Sequence, residues 1–198
     1  MVDPAVAIKK HPSQYGTHRG IDAALELREA NNVDPARIKA VHIETPVMRY
    51  VGRPSPQTGL EGKFSFQYTV ASALLDGQIT IDTFSDEKLH RAELQDLLAK
   101  TELTMNPDIP SDFDQMSVTV RTEMEDGTVY SARCDRPRGI WGNPLTREER
   151  LIKVRQCASR VVSDQDVEGI IEIVEDLDHG NERDVVELLE LLSGPSSD

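Results

Sequence analysis

Cysteine, aromatic residues and long apolar runs are all scarce in this chain, and each scarcity removes a class of protein. Cys134 and Cys157 are far apart and show no CxxC or Cys/His spacing, so neither a structural zinc site nor a disulfide framework is expected. No apolar run approaches membrane-spanning length, and the first residues lack the charged and apolar regions of a signal peptide. Cytoplasm is therefore the expected location. Aromatics make up 5% and apolar residues 38% of the 198 residues, a modest supply that suits one domain of ordinary size or one domain plus an appendage. Positive charge is short as well. Against 35 Asp and Glu stand 22 Lys and Arg, a net charge of -13 that would repel nucleic acid or an anionic membrane. Neither is expected as a partner. A small anionic substrate stays open, because a local cluster of cations outweighs the global field at short range.

What the chain does contain is an ordered run of elements. Thr17 is placed to cap a helix through Ile21, Ala24, Leu25 and Leu27 that Asn31 and Asn32 end. Alternation over Ile38–Thr45 reads as a strand. A Pro- and Gly-rich loop over 46–62 leads into the most apolar helix, Phe64 to Leu75, with Phe64, Tyr68, Ala71 and Leu75 on its core face and Asp76-Gly77 as its stop. Ser85 or Asp86 caps a further helical stretch reaching Lys100, and Thr101–Met105 is a candidate strand. Two alternating runs, 117–122 and 128–133, flank Glu125-Asp126-Gly127, a strong hairpin signal. After Pro137, Gly139, Gly142 and Pro144 the pattern turns helical: a capping box at Thr146 and Glu149 opens Arg147 to Val162, followed by Asp166 to Leu177 and Glu182 to Leu192. The expected fold is α+β, with a small antiparallel sheet and packed helices over 1–140 and a helical segment over 141–198. The last helix carries Val185, Val186, Leu188, Leu189, Leu191 and Leu192, more apolar surface than a lone exposed helix holds. It is expected to pack on another subunit or on a domain outside this chain. The Pro-Ser-Ser-Asp tail is expected to fray, and no internal repeat or extended low-complexity tract is present.

Two segments carry a family resemblance. One is Lys9-Lys10-His11-Pro12-Ser13-Gln14-Tyr15-Gly16-Thr17-His18, continuing into the Ala-rich helix through Asp22-Ala23-Ala24-Leu25. The other is Tyr50-Val51-Gly52-Arg53-Pro54, continuing through Glu61-Gly62-Lys63-Phe64-Ser65-Phe66-Gln67-Tyr68 to Asp76-Gly77. Together with Asp126-Gly127 and the Gly142–Thr146 turn, in that order, they make the span from Lys9 to Cys157 resemble the carboxyl-terminal half of the MmgE/PrpD family. Its members include 2-methylcitrate dehydratase, cis-aconitate decarboxylase and an iminodisuccinate epimerase. The resemblance implies a lid-type α+β domain followed by a return to a large helical domain. Most of that helical domain would precede this chain, so Met1-Val2-Asp3 is expected not to be a native start. It also implies a homodimer, a substrate that is a small di- or tricarboxylate, no cofactor and no metal. The reaction implied is a hydro-lyase elimination like that of 2-methylcitrate dehydratase, with decarboxylation or epimerisation as alternatives; the fragment alone is expected to be inactive. A non-catalytic interaction or oligomerisation module with a relict site is the reading from a different class.

Proton or carboxylate removal beside carboxylate-bearing carbons needs cations to hold the substrate and a group of tuned acidity near the reacting carbon. By resemblance, Lys9 is the active-site lysine, either a carboxylate clamp or a proton donor; otherwise it is a solvated side chain. Tyr50 matches a tyrosine able to donate a hydrogen bond or pass a proton, and an isolated loop tyrosine is otherwise packing. His18 is a general acid or base, or a structural histidine in a first helical turn. Some members carry a histidine five residues after the lysine, where this chain has Gln14, and that departure weakens the decarboxylase reading. Arg53 and Lys63 flank the loop and the helix start as a candidate anion site, unless Lys63 is solvated and Arg53 pairs with Glu61. Ser65 is a cap or a ligand contact, not a nucleophile, because no Gly-x-Ser-x-Gly surrounds it. The acidic stretch from Asp164 to Asp178 lacks calcium-loop spacing and reads as a solvated helix face.

Overall fold

Residue chemistry at the helix ends explains how the first elements are cut. In the computed structural model, which describes residues 6–193, helix α1 (His18–Asn31) stops where Asn32 takes a left-handed φ of 47° and turns its N–H back to Arg28 and Glu29. Thr17 precedes α1, but its hydroxyl donates to the Gln14 carbonyl at 2.8 Å and makes no cap. The expected Thr17 cap is thus replaced by a 3-10 turn over Tyr15–Thr17 that feeds the helix directly. Met1-Val2-Asp3 and the tail at 195–198 lie outside the described residues.

Strand β1 (Ile38–Thr45) has the boundaries its alternation implies. The short helix α2 (Gly59–Gly62) and helix α3 (Phe66–Asp76) follow, and Gly77 at φ 70° ends the latter. Phe64 lies before α3 and is 37% exposed, because Ser65 caps the helix and sets its start. The single helix expected up to Lys100 is two: α4 (Asp86–Leu89), capped by Ser85, and α5 (Ala92–Ala99). The break falls at Arg91, whose backbone is extended and whose guanidinium grips Asp76 with two bonds of 2.9 Å.

Strands β2 (Thr101–Met105), β3 (Val118–Met124) and β4 (Val129–Cys134) complete a four-stranded sheet of order β2-β1-β3-β4. The β3–β4 hairpin closes at Gly127, φ 84°, where Thr128 N–H also reaches the Asp126 carboxylate at 2.9 Å. The sheet is mixed, not antiparallel as expected: β1 pairs antiparallel with β3 but parallel with β2. The reason is the connection from β1 to β2, which runs through α2–α5 and returns the chain in the same direction. Helices α1 and α3 cover one face, α1 on β3 and β4 and α3 on β2 and α5. Ile21, Leu27, Val41, Ile43, Phe66, Val70, Leu74, Val118 and Val120 form the core there. The opposite face carries Lys39, His42, Arg121 and Glu123, with Lys39 on Glu123 at 2.6 Å.

The chain divides into two compact units at Pro144/Leu145. In the second, Thr146 and Glu149 form the capping box of α6 (Arg147–Ala158), followed by α7 (Asp164–Glu175) and α8 (Glu182–Ser193). Its small core is Leu151, Val162, Val167, Ile170 and Ile171. Glu168 and Glu175 of the acidic stretch are held by Arg155 and Arg147 at 2.6 Å each.

Gly59 tests how tightly the first unit is closed: a Cβ there would lie 1.8 Å from the Phe84 carbonyl oxygen, and its N–H is held by Asp86 at 2.7 Å. Gly59→Ala is expected to cost about 2–3 kcal/mol, read as a lower urea midpoint. Gly127→Ala, in open space but at positive φ, is expected to cost about 1 kcal/mol.

Candidate functional site

The segment before α1 has little regular structure of its own, so its shape comes from side chains. Ser13 and Thr17 share a hydroxyl hydrogen bond of 2.9 Å, and Gln14 accepts from Gly16 N–H at 2.5 Å. The Lys9 ammonium donates to the Ser13 carbonyl at 3.3 Å. His11, whose side chain is 4% exposed, bonds to Asp22 of α1 at 2.7 Å. The other Asp22 oxygen accepts from the Arg138 N–H, also at 2.7 Å, and Ile8 N–H donates to the Gly139 carbonyl at 2.8 Å. Burial alone would raise the Asp22 carboxyl. The His11 bond and charge and the Arg138 N–H outweigh it and hold Asp22 below the usual carboxylate range.

His18 sits behind this turn, fully buried, with its ring 5.2 Å from that of His11 and 4.8 Å from that of Tyr15. Among the described residues neither ring nitrogen has a partner in hydrogen-bonding geometry. Burial, then the charge of His11, push it down to about 3, and the pull of Asp22 the other way is weaker. At neutral pH His18 is thus an uncharged ring and a poor base, with one N–H to donate and one nitrogen to accept a hydrogen bond. Tyr15, stacked on Phe113 at 5.6 Å, also buries its hydroxyl without a hydrogen-bond partner among the described residues.

The Pro-rich loop supplies the remaining candidates. Tyr50 lies in a 3-10 turn, Arg49–Val51, anchored by buried Val51 while the phenol is 54% exposed. The exposed Arg53 guanidinium lies 5.7 Å from the centre of the Phe64 ring, and the Lys63 ammonium lies 5.6 Å from that of Phe84. The Glu61 carboxylate accepts from Gln57 N–H at 2.7 Å. Ser65 is buried with both capacities in use: its hydroxyl accepts from Tyr68 N–H at 3.0 Å and donates to the Arg53 carbonyl at 2.5 Å. That makes it the cap of α3 and the tie that holds Arg53 at the helix N-terminus. Loop and lead-in meet through the backbone, Gln14 N–H to Lys63 carbonyl at 2.9 Å. Gly16 allows the close approach, since a Cβ there would fall 2.3 Å from the Met48 methyl.

Sequence reading missed Asp22 and the buried Arg19, which donates to the Phe113 carbonyl at 2.6 Å and the Asp135 carbonyl at 3.0 Å. The signal available was a charge inside the small apolar run Gly20-Ile21-Asp22-Ala23-Ala24, since a buried charge requires a partner.

Comparison with known proteins adds to this geometry. The MmgE/PrpD C-terminal domain matches residues 11–179. The cis-aconitate decarboxylase of Mus musculus is 37% identical over 198 residues, a span covering 96% of this chain and 40% of that protein. The cis-aconitate decarboxylase of Homo sapiens is 34% identical, with the same shares covered, 96% and 40%. One from Aspergillus terreus is 28% identical across 83% of this chain. The chain spans about 40% of the length of the two mammalian relatives.

The His18 geometry is checked by titration. Its ring signals in NMR are expected to show no step between about pH 8 and pH 4; a step near neutrality would mean the ring is solvated. The unfolded chain takes up this proton near pH 6.5 and the folded one only near about 3. Stability is therefore expected to fall as pH drops through that window, by up to about 1.4 kcal/mol per pH unit from this group.

Proposed function

The chain belongs to the MmgE/PrpD family, and from that premise we propose that it is the carboxyl-terminal portion of a lyase acting on a small di- or tricarboxylate. The observation that carries the proposal is the join between the Lys9–His18 turn and the Arg53–Ser65 loop through the Gln14–Lys63 backbone bond. It ties Lys9, Arg53 and Lys63 to one framework, on a chain whose net charge is otherwise -13. Cations so framed suit the carboxylates of a substrate. The exposed Tyr50 phenol suits a hydrogen bond or proton transfer to it, and uncharged His18 an acceptor role.

Two reactions are compatible with these parts. In decarboxylation a C–C bond breaks, carbon dioxide leaves with the carboxylate carbon, and a proton replaces it on the resulting carbanion. The names of the relatives favour this course, with a substrate like cis-aconitate. In hydro-lyase elimination, as in 2-methylcitrate dehydratase, a base takes the proton beside a carboxylate and hydroxide leaves as water. Gln14 favours this second course, because its side chain is spent on the Gly16 N–H where some members carry a histidine. We infer further that the longer protein supplies a helical domain preceding this chain, works as a cytoplasmic homodimer and needs no cofactor. Exposed Val185, Val186, Leu189 and Leu192 on α8 support a covering domain or subunit.

The test is proton NMR in deuterated water with cis-aconitate, 2-methylcitrate and iminodisuccinate, using this chain and the full reading frame that contains it. Turnover by the long form only is expected, and the product identifies the reaction. Lys9→Ala in the long form is expected to lower turnover about 10²-fold. Unchanged activity would favour an interaction module with a relict site.

A further inference from the structure

Lys9 is useful as a clamp only if its backbone is held, and it stands in a stretch with no helix or strand of its own. The structure brackets it. One residue earlier, Ile8 N–H is bound to the Gly139 carbonyl at 2.8 Å. Two residues later, His11 is bound to Asp22 at 2.7 Å. Both brackets refer to the same place, because the second Asp22 oxygen takes the Arg138 N–H at 2.7 Å, next to Gly139. One carboxylate on α1 thus fixes the lead-in and the loop that grips it. We propose that Asp22 and His11 are a positioning pair for the Lys9 ammonium, an inference that rests on the substrate-clamp reading of Lys9.

The chemistry of the pair suits that task. An ionised carboxylate only accepts, so the His11 Nε2 facing Asp22 carries a proton and its tautomer is fixed. The ring is then held in one orientation, its face or edge against His18 at 5.2 Å and 68°. Replacing Asp22 by Asn would set an amide against one of two N–H donors, so only one link could survive.

Two arms test the proposal. On this chain, long-range nitrogen–proton NMR is expected to show His11 as the Nε2–H form. Lys9 is exposed but held, so in Asp22→Asn its backbone amide and side-chain signals are expected to move to those of an unstructured segment, while the core methyl signals of Ile21, Val41 and Leu74 hold. Lys9 signals unmoved by Asp22→Asn would overturn the inference, whatever the reaction is. In the full reading frame, with cis-aconitate as the probe, Asp22→Asn is expected to raise KM about tenfold. It is expected to leave kcat within a few fold and to add nothing in a Lys9→Ala background. Full additivity would overturn the positioning role. An inert Lys9→Ala would instead sink the substrate reading, leaving the NMR arm to decide this one. Should Asp22→Asn fail to fold, His11→Gln, which keeps a donor for Asp22, is expected to retain the Lys9 signals that His11→Ala loses; equal behaviour of the two would overturn the proposal.

Discussion

A helix that carries charge into a protein interior obliges distant segments to come to it, and α1 does this at two positions. Arg19 is wholly buried and spends its guanidinium on the carbonyls of Phe113 and Asp135. Asp22, one turn further on, takes His11 from one side and the Arg138 N–H from the other. Neither charge could stay in the interior without those partners. The lead-in, the loop before β3 and the loop after β4 are therefore all held to one helix. These connections lack repeating secondary structure, and the charges of α1 supply the order that backbone ladders supply elsewhere.

The second frame around the site is built from small contacts. Gly16 admits the Met48 methyl, Gly20 lies against Phe66 and Val70, and Gly62 lies against the Tyr68 ring. Ser65 then serves α3 and the Arg53 backbone at once. Because the Gln14–Lys63 bond links this frame to the lead-in, the Lys9 segment and the Arg53–Lys63 segment cannot shift independently. That coupling makes a scattered set of polar residues into one candidate site. His18 is buried behind the lead-in turn, while Tyr50 is exposed on the Pro-rich loop.

The second unit follows different rules. Its core is only a few residues, and its surface is laced by Arg147–Glu175 and Arg155–Glu168 pairs that solvent screens. Val185, Val186, Leu189 and Leu192 stay exposed on α8.

Local chemistry made much of this legible in advance. The alternation of Ile38–Thr45, the Asp126-Gly127 turn, the Gly77 stop and the Thr146/Glu149 box each act within a few residues, so the sequence alone determined those elements and their ends. The family was legible for a related reason, since its motifs are contiguous runs. Only tertiary structure decided the rest. The parallel pairing of β2 on β1 depends on a crossover of many residues, and the split of α4 from α5 depends on Arg91 reaching Asp76. The loss of the Thr17 cap came from a competing carbonyl at Gln14. The neutral state of His18 and the Asp22–His11–Arg138 junction depend on burial and on partners far apart in the chain. A charge can be read from a sequence, but whether water or another residue answers it is settled only when the chain has closed around it.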